Sequence, residues 1–137
     1  MNAPDDSSSF SGRRTDTADH AAILRLQADW IAAQCAGRVD DLLDLCTSTV
    51  TIYPPIGAPI QGLAAVRRAM LENTAPVKRI HLSDVSITIT EGMAVKRARF
   101  IMALPGRAAP LAGWHVWVLL PRWYVDTIAW TLDQLPE

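Results

Sequence analysis

The side chains best suited to proton transfer in this sequence are His81, His115 and Tyr53. An imidazole changes its charge near neutral pH, and a phenol can donate a hydrogen bond to a substrate oxygen. In a strand without a bulge, His81 points to the same side as the apolar residues Val85, Ile87 and Ile89. That placement is compatible with a proton-relaying histidine in an apolar pocket and equally with a hydrogen-bonded core histidine.

Tyr53 closes a β-branched strand, residues 49–53, next to a turn-rich loop that begins with Pro54. Its phenol can orient a substrate oxygen at the mouth of a pocket, or it can lie at the rim with its hydroxyl in solvent. The sequence leaves these two interpretations open.

Tryptophan is abundant near the C-terminus. Four of the five tryptophans follow residue 113, and His115 shares one strand face with Trp117. Tryptophan offers a large rigid apolar surface and one hydrogen-bond donor. We expect Trp30, His115, Trp117 and Trp130 to line a ligand pocket, and a packed core or a subunit interface is the alternative for each.

Arg97 and Arg99 lie on one face of their predicted strand, opposite the apolar residues Ala98, Phe100 and Met102. If the arginine face lines the pocket, two guanidinium groups predict an anionic or carbonyl-rich ligand. If the other face does, the pocket is apolar and the arginines form a solvated or interface stripe, which the alternation favours. Asp126 could pair with either arginine.

The sequence does not contain the motifs of nucleophilic, nucleotide-dependent or zinc-dependent catalysis. No G-x-S-x-G elbow, phosphate-binding glycine loop or H-E-x-x-H pair occurs in the sequence. Cys35 and Cys46 fall on apolar helical faces with no His or Cys at ligand spacing, so we interpret them as small buried hydrophobic residues. We therefore expect no metal and no cofactor.

The composition predicts one globular domain. Of 137 residues, 50% are hydrophobic and 20% are charged, and the net charge is −1. This balance does not favour nucleic acid or an anionic membrane surface as a partner, and no apolar run approaches the ~20 residues of a membrane span. The N-terminus lacks the apolar segment of a secretory signal, so we expect a cytoplasmic protein.

The first half of the chain predicts a tail followed by helices. Residues 1–16 are rich in Ser, Asp and Gly, which predicts a disordered tail before a single domain at 17–137. Helical spacing follows up to Gly37, and again at 39–46 and 63–73. Asp40 and Asp41 lie at the start of the second helix, where stabilisation of the helix dipole explains them better than catalysis does.

The second half predicts a sheet. Alternating or β-branched segments at 77–90, 94–104, 114–120 and 123–132 are joined by turns, which is typical of an antiparallel meander. The last two segments are apolar on both faces. Because the helices of one small domain cannot cover both faces, we expect a homodimer.

The order and spacing of these segments resemble the SnoaL-like, nuclear transport factor 2-like superfamily over about residues 18–133. The resemblance rests on the helix, glycine break and helix at 30–43, on the loop and helix at 57–66, and on the hairpin segments 79–85 and 91–94. It implies an α+β fold in which three N-terminal helices pack on a strongly curved, mostly antiparallel sheet. The resulting cone-shaped barrel would enclose a small-molecule pocket.

Two enzyme groups of this superfamily have catalytic carboxylates that this sequence does not match. The acids of ketosteroid isomerases fall at Pro54 and near Trp117. Those of limonene epoxide hydrolases fall at Arg99 and Trp130. The resemblance therefore implies neither mechanism.

Scytalone dehydratase matches in part. Its tyrosine at the end of the first strand corresponds to Tyr53 and its first catalytic histidine to His81, whereas its Tyr-Asp pair falls at Gln34 and Cys35. We therefore expect a small cofactor-free enzyme of the lyase, isomerase or cyclase type that acts by acid–base catalysis. Its substrate would be a hydrophobic, cyclic or polyketide-like molecule, with His81 as acid or base and Tyr53 orienting the substrate oxygen. The alternative is a non-catalytic small-molecule-binding or accessory protein, which the loss of the family's carboxylates favours.

Overall fold

The computed structural model describes the backbone of residues 3–73 and 77–134 and the side chains of residues 17–72 and 77–134. Within these residues the helices are α1 (Ala3–Ala36), α2 (Val39–Asp44) and α3 (Leu63–Asn73). The strands are β1 (Cys46–Tyr53), β2 (Ile60–Gln61), β3 (Arg79–Thr90), β4 (Met93–Ala103), β5 (Leu111–Leu120) and β6 (Tyr124–Trp130).

The strands form one curved sheet in the order β2-β1-β6-β5-β4-β3. β1 runs parallel to β6, and every other neighbouring pair is antiparallel. The predicted α+β architecture, with helices on a mostly antiparallel sheet, is confirmed. The short strand β2 was not predicted, and it forms inside the loop after Tyr53 because Ile60 pairs back with Ile52.

Helix α1 extends further toward the N-terminus than the sequence pattern predicts. It begins at Ala3 instead of near residue 17, so its first turns occupy the segment expected to be a disordered tail. Pro4 lies in the first turn, where its missing N–H costs no helical hydrogen bond, and each added residue extends a helix that is already nucleated. Gly37, with a φ of 70°, ends the helix as predicted. The division of the chain into a tail and one domain stays a prediction.

Cross-strand pairing defines two faces of the sheet, because directly paired residues point to the same side. The inner face packs against the helices, and its buried residues Val50 and Leu119 join Ile23 of α1 in the hydrophobic core. The outer face carries Arg99 of β4 and its β5 partner Trp114, both at least partly exposed.

A bulge interrupts β3. Ser83 pairs with Arg99 and Ser86 with Arg97, so three steps along β3 match only two along β4. The extra residue is accommodated at Asp84, whose φ of 51° is in the left-handed region that Asp tolerates better than most residues. As a consequence, apolar residues of β3 face inward both before and after the bulge, although their sequence parity differs.

Candidate functional site

A buried lysine lies on the inner face, on strand β4. Lys96 follows Ala94 and precedes Ala98 on β4, and its side chain is 0% exposed. Its Nζ lies 2.9 Å from Nε2 of His115 and 3.9 Å from the centre of the Trp117 ring. Among the described residues, no carboxylate forms an ion pair with it. The amine therefore sits next to a second nitrogen base in apolar surroundings, without a counter-ion.

Burial shifts the proton equilibria of both groups. It lowers the pKa of Lys96 to about 7, because an ammonium is poorly solvated there. Burial, and then the charge of Lys96, lowers the pKa of His115 to about 3. The imidazole is consequently neutral at physiological pH, while the amine is present in both its neutral and its charged form.

Aromatic rings surround this pair. The Trp117 and His115 rings are stacked at 5.0 Å between centroids, and Trp30 of α1 lies 5.0 Å from Trp117 at a tilt of 56°. Phe100 lies 6.4 Å from His115 in a stacked orientation and 6.1 Å from Trp130 in an edge-on one. These five residues are called the aromatic cluster below. The structure thus brings together Trp30, His115, Trp117 and Trp130, which the sequence predicted as ligand-lining.

Helix α1 adds two amides on the side that carries Trp30. The indole Nε1 of Trp30 donates a hydrogen bond of 3.0 Å to Oε1 of Gln34. Gln27, one helical turn before Trp30, has a buried Oε1 without a hydrogen-bond partner among the described residues. Leaving a buried acceptor unpaired costs on the order of 1–3 kcal/mol, so this atom is suited to a donor from a bound molecule.

The predicted placement of His81 is wrong. The bulge at Asp84 reverses the parity of β3, so His81 pairs with exposed Ile101 and lies exposed on the outer face, while Ile87 and Ile89 point inward. His81 therefore does not share a face with the apolar residues that motivated its catalytic role.

Tyr53 does not reach the interior either. It pairs with Ala129 on the outer face and is 45% exposed. Its strand and that of His81 are separated by four strand spacings of ~4.8 Å, or roughly 19 Å across the sheet, too far for one small molecule to contact both. The expectation that His81 and Tyr53 face one cavity is therefore wrong.

The two arginines also face away from the aromatic cluster. Arg99 forms a bidentate ion pair with Asp133, and Arg97 donates a hydrogen bond of 3.1 Å to Oγ of Ser86. This placement agrees with the interpretation of the arginines as an outer stripe. Asp126 does not pair with them, because its carboxylate accepts hydrogen bonds of 2.7 Å from Thr47 and from Thr49.

Lys96 is the residue that the sequence analysis missed. A signal was present, since Lys96 shares the parity of the apolar residues Ala98, Phe100 and Met102. A lysine on the apolar side of a strand has no water in which to place its charge, unlike an arginine on the opposite side.

Two depressions lie elsewhere on the surface. One of about 470 Å³ is bordered by residues that include Asp19, Glu91 and Trp123, and one of about 410 Å³ by residues that include Asp29 and Arg38. Neither is lined by the aromatic cluster.

In the part of the chain that the structure describes, no three His, Cys, Asp or Glu side chains converge to hold a metal ion. None of the described helices is both long enough and apolar enough to cross a membrane.

No family model and no curated protein matches the sequence. Solved structures do resemble the fold. A provisionally named scytalone dehydratase from Novosphingobium aromaticivorans superposes with a TM-score of 0.77 at 14% identity, covering 89% of each chain. A protein of unknown function from Pseudomonas putida, described as nuclear transport factor 2-like, gives a TM-score of 0.74 at 14% identity, covering 88% of this chain and 98% of that one.

A third similar structure is SalBIII, an epoxide hydrolase/cyclase-like enzyme with a role in pyran ring formation in the polyether salinomycin. Its TM-score is 0.68 at 21% identity, with 85% of this chain and 94% of that chain covered. Identities this low show the fold alone. The chain has the nuclear transport factor 2-like fold, as its sequence pattern predicted.

Proposed function

We propose that this protein is a small enzyme of the lyase, isomerase or cyclase type, which acts by acid–base catalysis on a hydrophobic, oxygen-bearing small molecule bound at the aromatic cluster. The observation that carries the proposal is the 2.9 Å contact between Nζ of Lys96 and Nε2 of His115 within the aromatic cluster. This pair takes the roles that the sequence analysis had given to His81 and Tyr53.

The chemistry follows from the protonation states of the pair. A general base works best when its pKa lies near the operating pH, and burial brings the pKa of Lys96 to about 7. Its neutral amine can take a proton from an acidic C–H or O–H group and return it elsewhere on the substrate. The neutral imidazole of His115 can donate to or accept from the same substrate oxygen, depending on its tautomer.

The route to the Lys96 amine passes the half-buried residues of the aromatic cluster. Lys96 and Trp117 are buried, whereas His115 and Trp130 are half-buried. A ligand must therefore enter along His115 and Trp130 and displace part of the packing around them. The enzymatic names of two of the similar structures, a dehydratase and an epoxide hydrolase/cyclase-like protein, agree with such a reaction class.

Because the natural substrate is not identified, the test uses 5-nitrobenzisoxazole. A base removes its ring C–H proton, the N–O bond breaks, and a coloured nitrophenolate is released. We expect Lys96→Met to lower this rate by about 10²–10⁴-fold, the usual worth of one positioned base. The matched controls His81→Ala and Tyr53→Phe change outer-face residues and should retain the wild-type rate. An unchanged rate in folded Lys96→Met would refute proton transfer at this site.

The alternative is a non-catalytic binding protein of the same fold. It is favoured by one observation: among the described strands, the inner face carries no Asp or Glu. In that case 2-naphthol should quench the tryptophan fluorescence of the cluster, while the elimination rate stays at the level of free lysine in solution.

We also propose that the outer face pairs with a second copy of the chain. Five large exposed hydrophobic residues lie on it, namely Tyr53, Met93, Ile101, Trp114 and Tyr124. Of the two β4 arginines on this face, Arg99 is paired with Asp133. Several large exposed hydrophobic residues on one face of a sheet are typical of a protein interface.

A further inference from the structure

We propose that Lys96 forms an imine with an aldehyde or a ketone, and that the natural ligand is therefore a flat hydrophobic carbonyl compound. This inference rests on the proposed function, because it uses the same site, and it deepens that function by naming the substrate class and a covalent step.

The first argument is the environment of the amine. Lys96 has 0% exposure, its nitrogen contacts His115 Nε2 at 2.9 Å, and no described carboxylate pairs with it. A charged ammonium without a partner is costly in such a place, so the neutral amine, which has a free electron pair, is favoured. The free pair is what attacks a carbonyl carbon.

The second argument is the shape of the surroundings. The ring planes of His115 and Trp117 differ by 12°, and those of Phe100 and His115 by 13°, so three rings on the inner face lie nearly parallel. Planar aromatic or conjugated molecules stack on such rings favourably. A planar ligand that replaces part of this stack would bring its carbonyl carbon next to the Lys96 nitrogen.

The third argument is that the neighbouring imidazole can move the protons that the reaction requires. The nitrogen of Lys96 bonds to the carbonyl carbon, and the π electrons move to the oxygen. The nitrogen then loses one proton to Nε2 of His115, which passes it to the oxygen and leaves a neutral carbinolamine. The second N–H proton follows the same route to the hydroxyl while the nitrogen electron pair forms the C=N bond and the C–O bond breaks. Amine and carbonyl thus give imine and water with no change in oxidation state.

An imine would also connect the site to the proposed reaction class. A protonated imine withdraws electrons from the adjacent carbon, which makes its C–H bond more acidic than in the free carbonyl compound. Dehydration, isomerisation and cyclisation next to a carbonyl can each begin with the loss of such a proton.

The sequence supplies an internal control. Lys78 and Lys96 are its only lysines, and Lys78 is exposed. The full-length protein is incubated at pH 7 with 2-naphthaldehyde and sodium cyanoborohydride, which reduces any imine to a stable amine. Peptide mapping by mass spectrometry then shows which nitrogen carries the naphthylmethyl group.

We expect Lys96 to be labelled at least about 10²-fold faster than Lys78, because burial lowers the pKa of Lys96 to about 7 and leaves much of its amine neutral at pH 7. Lys78→Arg should keep this labelling, Lys96→Met should lose it, and urea should abolish the preference. If Lys96→Met does not fold, the mapping of the wild-type chain decides alone. Labelling of Lys78 or the N-terminus with Lys96 left free would overturn the inference.

A parallel titration with 2-naphthol separates the two proposals, since this molecule has the same rings and no carbonyl. Quenching of tryptophan fluorescence by 2-naphthol without labelling of Lys96 would overturn imine formation and retain the binding site. The absence of both quenching and labelling would overturn the inference and would also remove the support for a ligand site at the aromatic cluster.

Discussion

At the scale of single residues, the placement of Lys96 makes stability depend on pH. Burial lowers its pKa from 10.5 to about 7, so between these values the unfolded chain binds a proton that the folded protein does not. Stability should therefore rise with pH from about 7 to about 10.5, and the penalty for the buried charge is fully present below pH 7. A shift of this size corresponds to roughly 5 kcal/mol.

Lys96→Met, which keeps the length of the side chain, should consequently stabilise the protein at pH 7 by several kcal/mol, and the gain should shrink toward pH 10. Urea unfolding at both pH values measures the difference. His115 contributes little from pH 7 upward, because its pKa is lowered from 6.5 to about 3 and it is therefore mostly neutral in both the unfolded and the folded chain there. Lys78→Met, at an exposed site, should change the free energy of unfolding by no more than ~0.5 kcal/mol at either pH. A constant difference between Lys96→Met and wild type across this range would contradict the burial of a titrating amine.

The same residues show how far the sequence could predict the site. Tryptophan is on average a highly buried side chain, so Trp30, Trp117 and Trp130 could be assigned to a packed or ligand-facing surface from their type, although Trp114 is 44% exposed. Lys96 was recoverable from its strand parity. His81 was not, because one extra residue at Asp84 decides which face it occupies, and no residue type marks a bulge reliably.

At the scale of the elements, that bulge can be tested by substitution. Asp84 has a φ of 51°, which costs a β-branched residue about 1–2 kcal/mol and glycine almost nothing. Asp84→Val should therefore lower the free energy of unfolding by this amount, while Asp84→Gly should not. Thr88→Val is the matched control on the same strand, exposed and free of a positive φ, and it should be neutral. Equal effects of the two valine substitutions would show that Asp84 has no special conformation in solution.

At the scale of the whole molecule, the architecture could be predicted better than any part of the site. The strand and helix periodicities and the turn residues between them place three helices and the four long strands near their observed positions. The two departures have local causes. β2 needs only a two-residue pairing with β1, and the extension of α1 needs only continued backbone hydrogen bonding, neither of which requires an apolar pattern.

The last prediction concerns assembly through the outer face. Ile101 and Trp114 lie there, each at least 40% exposed, and the Arg99 guanidinium is held 5.9 Å from the Trp114 ring by its ion pair with Asp133. If this face meets a second copy, light scattering at micromolar concentration should give about twice the chain mass of 15.0 kDa. Truncation of an interface hot spot to alanine costs at least ~2 kcal/mol, and a lysine in its place also buries a charge.

The double variant Ile101→Lys, Trp114→Lys should therefore shift the protein to the monomer while leaving its helical circular dichroism intact. Leu71→Lys is the control, because Leu71 is 50% exposed but lies on α3, away from the outer face of the sheet. It should leave the dimer unchanged, since it adds a lysine to the surface without entering the interface. A wild-type protein that stays at the monomer mass up to high micromolar concentration would show that the apolar outer face does not pair with itself. A dimer that survives the double variant would place the interface on another surface.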